Sequence, residues 1–505
     1  MITPHDRRFT PTRRDFLGAV AGGAVLVGLS ACGSETSSPA LPASGDDFSA
    51  PRERRSRNGV LDVTLVAEGR TVRFGTGRRY AYTYNGTTPG PTLRLRPGDT
   101  LRITLVNHLS ETTNLHTHGL HVSPSGSADN IFVMVPPGGT HRYEYRIPDD
   151  HPSGLFWYHP HHHGSVAPQV FGGLAGAIII DDAIDDLPAI ASSRERVMVL
   201  ADPAIGTSAD AFGASMMERM QGREGDVALV NGVVAPTIRA VAGSIERWRL
   251  VNASASRFYR LALTGAAMHQ IATDAGRLAR PVAVDEVLLA PGERVELLLA
   301  PTRAGRYAFR SLPYDRGTPM MGGGGMGGGT GGSSGASDTI TLATLVARDS
   351  SQAASLPTRL ADLRSLTSST VDRERDLTLA MGMGGGGMGG GGMGGGGMDG
   401  QATINGDSFD PNRTDVATRL GDVEEWTIRN ASAMDHPFHL HVWPFLVIDD
   451  GNGHAPPGWK DTVNVPANSS VRIRLAFLDI PGRTVFHCHI LDHEDLGMMG
   501  VIDVT

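Results

Sequence analysis

Four short clusters contain more than half of the 19 histidines of this 505-residue chain. They read His116-Thr117-His118-Gly119, His159-Pro160-His161, His436-Pro437-Phe438-His439-Leu440-His441, and His487-Cys488-His489 followed by His493 and Met498. In a β-strand alternate side chains point to the same face, so each His-x-His pair can direct two imidazoles at one point. The clusters therefore predict metal sites whose ligands come in pairs from strands.

The last cluster predicts two different sites on one strand. If this segment is extended, Cys488 faces away from His487 and His489. A thiolate with two imidazoles and a weak axial thioether is the ligand set of a blue copper electron-transfer site. The residues that can supply it are His436, Cys488, His493 and Met498. The other eight histidines form four pairs, which suits a shared site for several metal ions.

The elements that must position these residues are strands. Strict alternation of apolar and polar residues, as in 101–105 and 471–475, indicates half-buried strands, while long helical periodicity is scarce. A weak repeat supports three copies of one unit, because Asn85-Gly86, Asn231-Gly232 and Asn405-Gly406 each precede a second turn and an alternating strand. The class is all-β.

We expect three β-sandwich domains, at about 58–185, 190–350 and 370–505. The histidine clusters lie in the first and third of these. The second contains His269 and no cluster, so we expect it to bind no copper and to act as a spacer. Residues 36–57 are polar and rich in Ser, Pro and Arg, which predicts a flexible tether.

The first 35 residues have the pattern of an export signal. Thr12-Arg13-Arg14-Asp15-Phe16-Leu17 is a twin-arginine pattern followed by a short apolar stretch. The stretch ends in Leu29-Ser30-Ala31-Cys32, which resembles a lipoprotein cleavage box, and ordinary cleavage nearby is the alternative. The expected location is the periplasm or the cell surface, with attachment to the membrane if Cys32 is lipidated. The body of the protein then has one cysteine, Cys488, and no intramolecular disulfide.

The four clusters, in this order, resemble those of the multicopper oxidases, in particular the bacterial three-domain, laccase-like members. The segment Tyr84-Asn85-Gly86-Thr87-Thr88-Pro89-Gly90-Pro91 adds to the resemblance, which covers most of the exported chain. It implies three cupredoxin-like Greek-key sandwiches and four coppers per chain. The implied ligands of the type 2 copper are His116 and His439. Those of the type 3 pair are His118, His159, His161, His441, His487 and His489.

Reduction of dioxygen to water also needs acids that relay protons into a buried site. Glu494 and Asp129 are the candidates, because the family places one carboxylate directly after the last type 1 histidine and another shortly after the first His-x-His-Gly. The loop 123–128 departs from the commoner fungal pattern, so a solvated turn acid is the alternative for Asp129. His121, His162 and His163 lie off the ligand pattern and are expected at the surface or beside the ligands.

The substrate must be argued from two tracts rich in glycine and methionine. The first runs from Met320 to Ser334, and the second carries a methionine every five residues from Met383 to Met398. Thioethers are soft ligands that select Cu(I), so the tracts indicate copper handling, and a low-complexity linker is the alternative.

The leading hypothesis is therefore an exported, monomeric oxidase that couples oxidation of Cu(I) to reduction of dioxygen, with copper detoxification as its role. A laccase-like oxidase of phenols or of other metal ions is the runner-up, and a non-catalytic copper carrier is the third hypothesis. With 45 basic against 53 acidic residues and a formal charge of −8, nucleic acid is not expected as a partner.

Overall fold

The computed structural model of the chain describes residues 46–75, 77–181, 183–318, 338–350, 355–382 and 402–505. The expected signal with Cys32, the start of the tether and both methionine tracts lie outside these residues. Among the described residues, no helix has the length and apolar character needed to cross a membrane.

The described elements are mainly strands and fall into three blocks along the chain. The first block contains β1 (Glu53–Arg55), β2 (Val60–Phe74), β3 (Gly77–Tyr84), β4 (Thr92–Leu95), β5 (Thr100–Asn107), β6 (His116–His118), β7 (Thr140–Arg146), β8 (Gly154–His159), α1 (Val166–Gly172) and β9 (Gly176–Ile180).

The middle block contains α2 (Pro188–Ala191), β10 (Arg194–Ala201), α3 (Met216–Gln221), β11 (Leu229–Val230), β12 (Thr237–Ala242), β13 (Glu246–Asn252), β14 (Tyr259–Leu263), β15 (Met268–Thr273), β16 (Gly276–Val284), β17 (Glu286–Leu289), β18 (Arg294–Leu299), β19 (Gly305–Leu312) and β20 (Ile340–Ser350). Short 3₁₀ turns cover Ala183–Asp186 and Ala209–Phe212.

The third block contains β21 (Arg373–Met381), β22 (Ala402–Ile404), β23 (Val416–Thr418), β24 (Val423–Asn430), β25 (His436–Leu440), β26 (Phe445–Asp449), β27 (Trp459–Lys460), β28 (Thr462–Val465), β29 (Ser470–Ala476), β30 (Gly482–Cys488), α4 (Leu491–Asp495) and β31 (Met499–Val504).

Each block forms two sheets with an apolar core between them. The sheet orders are β1-β4-β9-β8-β6 with β3-β2-β5-β7, then β11-β10-β13-β18-β15-β16 with β12-β20-β19-β14-β17, then β22-β21-β24-β29-β26-β27 with β23-β31-β30-β25-β28. The expected alternation is present, since burial alternates along β5 and β29. The all-β class is confirmed. Residues 41–505 form one compact unit, so the domain boundaries stay a prediction.

The repeat seen in the sequence is also present in the structure. All three Asn-Gly turns have a positive φ at both residues, for example 53° at Asn85 and 79° at Gly86. The strands that end in Asn107, Asn252 and Asn430 each pair in parallel with the first long strand of their block. The side-chain oxygen of each of these asparagines accepts a hydrogen bond from the backbone amide two residues further on, at the start of the following loop. The three blocks therefore share one structural unit, with the same turn and the same parallel strand pairing.

The tether prediction is wrong for the part that the structure describes. β1 pairs in parallel with β4, and Asp47 forms a bridge with Thr237. Without β1, β4 would be the edge of its sheet with unpaired backbone groups, and Arg94 of β4 binds the carboxylate of Glu53 at 2.8 Å. Composition suggested a free linker, but this edge and this ion pair hold residues 46–57 on the protein.

Candidate metal centre

Strand pairing brings the predicted histidine pairs together. β6 pairs with β8, which sets His116 opposite His159. β25 pairs with β30, which sets His439 opposite His487. The first and third blocks thus each supply two short strands whose imidazoles meet at one buried site. All eight of these histidines are 1% exposed or less.

Within this site the ligand atoms converge in two groups of three, with a further pair beside them. The groups are His118, His159 and His489, and His161, His441 and His487. The ligand atoms of each group lie within 4.8 Å of one another. The Nε2 atom of His487 is 3.1 Å from that of His161 and 3.2 Å from that of His441. His116 and His439 lie together beside the first group. We call these eight residues the histidine cluster.

In His116 and His159 the outward ring nitrogen has a hydrogen-bond partner, while the inward one has none among the described residues. Nδ1 of His116 lies 2.9 Å from Asp129, and Nδ1 of His159 lies 2.8 Å from the carbonyl of Pro160. The opposite nitrogens, Nε2 in both residues, are buried with no partner among the described residues. A buried polar atom without a partner is costly, so these nitrogens fit metal ligation, and the outward bonds orient the rings for it.

The imidazoles of the cluster are held in the form that binds metal. Burial first, and then the neighbouring histidines, lower the pKa of His116, His161, His441 and His489 well below the usual value. Burial also lowers the pKa of His159 to about 3. Neutral imidazole is the ligand form, so no proton has to be removed from these rings before a metal binds.

A second buried group lies on the other side of Cys488. Its sulfur is 3.3 Å from Nδ1 of His436 and 3.8 Å from Nδ1 of His493, and these two nitrogens are 3.2 Å apart. Met498 is fully buried in the same apolar cluster as Cys488, and its amide donates to the carbonyl of His493. Burial raises the pKa of the Cys488 thiol, so a bound cation is what would make it a thiolate. We call this group the cysteine site.

One segment serves both sites, as the sequence predicts. Cys488 faces His436 and His493, while His487 and His489 before and after it belong to the histidine cluster. The backbone of three consecutive residues therefore connects the two sites covalently. This arrangement is suited to moving electrons from the cysteine site to the cluster.

The two predicted acids both contact cluster histidines. The oxygens of Glu494 lie 3.4 Å from Nδ1 of His161 and 3.2 Å from Nδ1 of His487. Burial, followed by the charge of Asp495, raises the pKa of Glu494 well above its usual value. Asp129 accepts hydrogen bonds from the backbone and side chain of Thr117 as well as facing His116. Burial raises its pKa to about 7, although the Thr117 bonds act in the opposite direction.

The histidines outside the pattern lie apart from the ligand groups. His121 is partly buried and lies 3.0 Å from Asp479 of the third block. His162 is partly buried, and His163 is exposed and packs on Phe409. None of the three belongs to a described group that could hold a metal.

Sequence reasoning missed several groups around the cluster. Asp461 faces His118 at 3.2 Å, and Arg294 of the middle block binds Asp461. Trp157 stacks on His159 with ring centroids 4.1 Å apart. Trp157 could have been found, because it lies two residues before His159 and hence on the same face of β8. Asp461 and Arg294 carry no such local signal.

Comparison with known proteins agrees with this geometry. Family models described as multicopper oxidase match residues 66–184, 205–325 and 391–505. "Multicopper oxidase mco" of Staphylococcus haemolyticus is 30% identical over 464 residues, which cover 90% of each chain. "Cell division protein FtsP" of Yersinia pestis is 28% identical, with 97% of each chain covered.

Among solved structures, a multicopper oxidase from Campylobacter jejuni, described as a metallo-oxidase, has a TM-score of 0.78 and 30% identity. The match covers 92% of this chain and 97% of that one. The fold of cupredoxin-like sandwiches, with a cysteine site joined to a histidine cluster, defines a copper-dependent oxidoreductase. The chain belongs to the multicopper oxidase family, whose members use dioxygen and a reducing substrate.

Proposed function

We propose that this protein oxidises Cu(I) at the outer side of the cysteine site and uses the electrons to reduce dioxygen to water at the histidine cluster. Four Cu(I) ions give four electrons, which with four protons convert one dioxygen to two waters. Bound copper would supply the one-electron transfer and the dioxygen chemistry. The proposed ligands are His436, Cys488, His493 and Met498 for type 1, His116 and His439 for type 2, and His118, His159, His161, His441, His487 and His489 for type 3.

The observation that carries the proposal is the covering of the cysteine site. Nε2 of His493 lies 3.0 Å from the carbonyl oxygen of Met220, and Nε2 of His436 lies 2.7 Å from Oγ of Ser432. Both rings are fully buried. A phenol therefore finds no exposed imidazole nitrogen to bond with. An electron from outside must instead arrive through the residues that cover the histidines.

The carbonyl that faces His493 belongs to Met220, on a short helix that carries two more methionines. Met220 belongs to α3, and Met216 and Met217 lie within about 100° of it on the same helix. No residue of α3 is buried, and Met217 is 41% exposed, so these thioethers do not form an apolar core. Soft sulfur ligands favour Cu(I) over harder ions. A cuprous ion is thus the reductant that this surface would bind best.

The ends of both methionine tracts support the same substrate. Gly317 lies three residues before Met320, where the first tract begins. It forms a β-bridge with Met434, which is two residues from His436. Ala402 follows the second tract. A Cβ atom at Gly497, beside Met498, would lie 3.2 Å from the carbonyl oxygen of Ala402. The described residues that flank one end of each tract therefore lie near the cysteine site, and our proposal is that Cu(I) bound by the thioethers of the tracts is delivered there.

Protons for the reaction would come through Glu494 and Asp129. Glu494 is buried with a raised pKa, so it holds a proton next to His161 and His487. A carboxylic acid in this position can hold a proton beside the cluster, release it there during reduction of dioxygen and be protonated again from solvent. Asp129 serves the side of the cluster that contains His116.

We also propose export of the protein by the twin-arginine route to the periplasm or cell surface, with lipidation at Cys32 as the anchor. A monomeric state and a role in copper detoxification complete this proposal. The alternatives are a laccase-like phenol oxidase and a copper carrier without catalysis. The relatives that are named cell division proteins make a non-oxidase role a further alternative. The presence of all twelve proposed ligand residues argues against it.

The test is oxygen uptake by copper-loaded protein lacking residues 1–35, supplied in parallel with Cu(I) and with a bulky phenol. The combined variant Met216→Leu, Met217→Leu and Met220→Leu should raise KM for Cu(I) severalfold and leave phenol turnover unchanged. Met134→Leu is the matched control, because Met134 is 69% exposed and lies outside the proposed ligand and covering residues. Deletion of the two tracts should act in the same direction as the triple variant.

Faster turnover with the phenol, insensitive to the triple variant and to the deletions, would make the protein a laccase-like oxidase. A titration that gives one copper per chain or fewer would exclude both kinds of oxidase.

A further inference from the structure

The middle block provides no proposed copper ligand, yet one of its side chains reaches the histidine cluster. Arg294, at the start of β18, is fully buried. Its guanidinium donates to Asp461 of the third block at 2.7 and 2.5 Å, to the carbonyl of Leu155 in the first block, and to the carbonyls of Gly292 and Asp274 in its own block. All five N–H donors are used, so the guanidinium has a single defined orientation.

Asp461, which Arg294 holds in place, contacts two cluster histidines and so orients their rings. Its Oδ1 lies 3.2 Å from Nε2 of His118, and its backbone carbonyl lies 2.8 Å from Nδ1 of His439. Thr462 supports the same pair, because its hydroxyl lies 3.1 Å from Nδ1 of His439 and bonds to Oδ1 of Asp461. One aspartate, whose carboxylate is held by one arginine, therefore contacts a proposed type 3 ligand through its side chain and a proposed type 2 ligand through its backbone carbonyl.

The contact with Asp461 determines which nitrogen of His118 is left free to bind a metal. A carboxylate accepts hydrogen bonds, so Nε2 of His118 carries the proton and Nδ1 is the free ligand atom. Nδ1 of His118 is buried without a partner among the described residues, whereas in His116, His159 and His439 it is Nε2 that lacks one. His118 is thus turned the opposite way from these three neighbours, and Asp461 is the group that favours this orientation.

Two glycines show how closely the network is packed against the cluster. A Cβ atom at Gly119, directly after His118, would collide with Arg294 and lie 2.6 Å from Oδ2 of Asp461. A Cβ atom at Gly292 would lie 2.7 Å from the ring of His489. The backbone of the middle block therefore forms part of the wall of the cluster.

We propose that Arg294 and Asp461 are positioning residues for the histidine cluster, and that the middle block takes part in holding the coppers of the cluster rather than acting only as a spacer. This inference rests on the proposed ligands and is independent of which substrate the enzyme oxidises. It predicts that loss of Arg294 or Asp461 damages the cluster while the cysteine site stays intact.

The test compares full-length, copper-loaded Arg294→Gln and Asp461→Asn with the control Arg249→Gln. Arg249 is a matched control, because it is 1% exposed and bonds to Glu195 and Glu296 of the middle block, with no cluster histidine among its described bonds. The readouts are copper per chain, the electron paramagnetic resonance spectrum of type 2 copper and the near-ultraviolet absorption of the type 3 pair. The visible absorption of the cysteine site is the internal reference.

We expect about 10–100-fold weaker copper binding at the cluster and a changed type 2 spectrum in both test variants, with unchanged visible absorption. Arg294→Lys should recover part of the loss, because it keeps the charge without the paired donors. Asp461→Asn preserves volume, so it serves as the second test if Arg294→Gln does not fold.

Equal loss of cluster copper in Arg249→Gln would overturn the proposal, since the ion pair would then act only on stability. Unchanged spectra in both test variants would also overturn it. Neither result would touch the proposed function, which would fail instead if the unaltered protein bound one copper per chain or fewer.

Discussion

Glu494 is a carboxylic acid enclosed between two imidazoles, with neither oxygen hydrogen-bonded to a described residue. Glu494→Gln keeps the size of the side chain but removes its exchangeable acidic proton. If Glu494 delivers protons, turnover of dioxygen should fall about 10²–10⁴-fold. Reduction of the cysteine site by substrate should keep its rate, because that step needs no proton from Glu494.

Stopped-flow spectroscopy can separate these two steps. The visible absorption of the cysteine site should bleach normally on addition of substrate, and its return in the presence of dioxygen should be slow. Glu494→Asp is the control, since a shorter acid keeps the proton and should retain part of the activity. A normal return in Glu494→Gln would remove Glu494 from the proton path.

At the residue scale, the sequence could predict which histidines and which cysteine converge, but not the groups that orient them. His487, Cys488 and His489 lie within one short strand, so alternation alone separates their two directions. Asp461 meets His118 across 343 residues of chain, and Arg294 meets Asp461 across 167. No periodicity links positions so far apart, and a buried Arg-Asp pair has no spacing rule that a single sequence can show.

The turn after β6 needs an unusual backbone conformation and packs closely against the network beside the cluster. Gly119 has a φ of 87°, and a Cβ atom there would collide with Arg294. Gly119→Ala should therefore lower the free energy of unfolding by more than about 1 kcal/mol, since both the left-handed backbone and the contact are unfavourable. It should also reduce the copper content of the cluster. Thermal unfolding and copper analysis measure the two effects.

Gly126→Ala is the matched control for this turn. Gly126 also has a positive φ, of 63°, but a Cβ atom there meets nothing within 4 Å. This variant should show the backbone cost without any loss of cluster copper. If both alanine variants behave alike, the close approach of Gly119 to Arg294 and Asp461 has no influence on the cluster.

At the element scale, strands and repeated turns could be predicted, and short helices could not. The Asn-Gly turns have a local cause, because both residues tolerate a positive φ. α3 and α4 have only six and five residues, too few for helical periodicity to appear. Contacts with α4 hold α3 in place. The carbonyl of Met220 accepts a hydrogen bond from the ring of His493, and Arg223, just after the helix, binds Asp492 at 2.6 Å.

At the scale of the whole molecule, His121 of the first block contacts Asp479 of the third block, and both of these groups titrate. Nε2 of His121 faces Asp479 at 3.0 Å, and Nδ1 faces the carbonyl of Val442 at 2.9 Å. Burial alone would lower the pKa of His121. The bonds to Asp479 and Val442 and the charges of Asp479 and Asp150 outweigh it and raise this pKa. The bond with His121 lowers the pKa of Asp479, although its burial acts against this.

The free energy of unfolding therefore depends on pH, because folding raises the pKa of His121 and lowers that of Asp479. The raised pKa of His121 contributes stability at acidic pH that is lost as the pH rises through it, and the lowered pKa of Asp479 contributes stability above about pH 4. Asp479→Asn should therefore lower Tm of the metal-free protein at about pH 5.5 and have much less effect at about pH 8.5. Asp376→Asn is the control, because its partner Arg429 stays charged throughout. An equal change in Tm at both pH values for Asp479→Asn would contradict this account.

The distance along the chain between cluster ligands has a consequence for how the protein matures. His161 and His487 are 326 residues apart in sequence, yet their Nε2 atoms lie 3.1 Å apart. The proposed ligands of the cysteine site, by contrast, all belong to the third block. Colour and catalysis are therefore separable signals of maturation. A molecule whose third block has folded could already be blue, whereas oxygen consumption reports that both ends of the chain have been synthesised, folded and brought together.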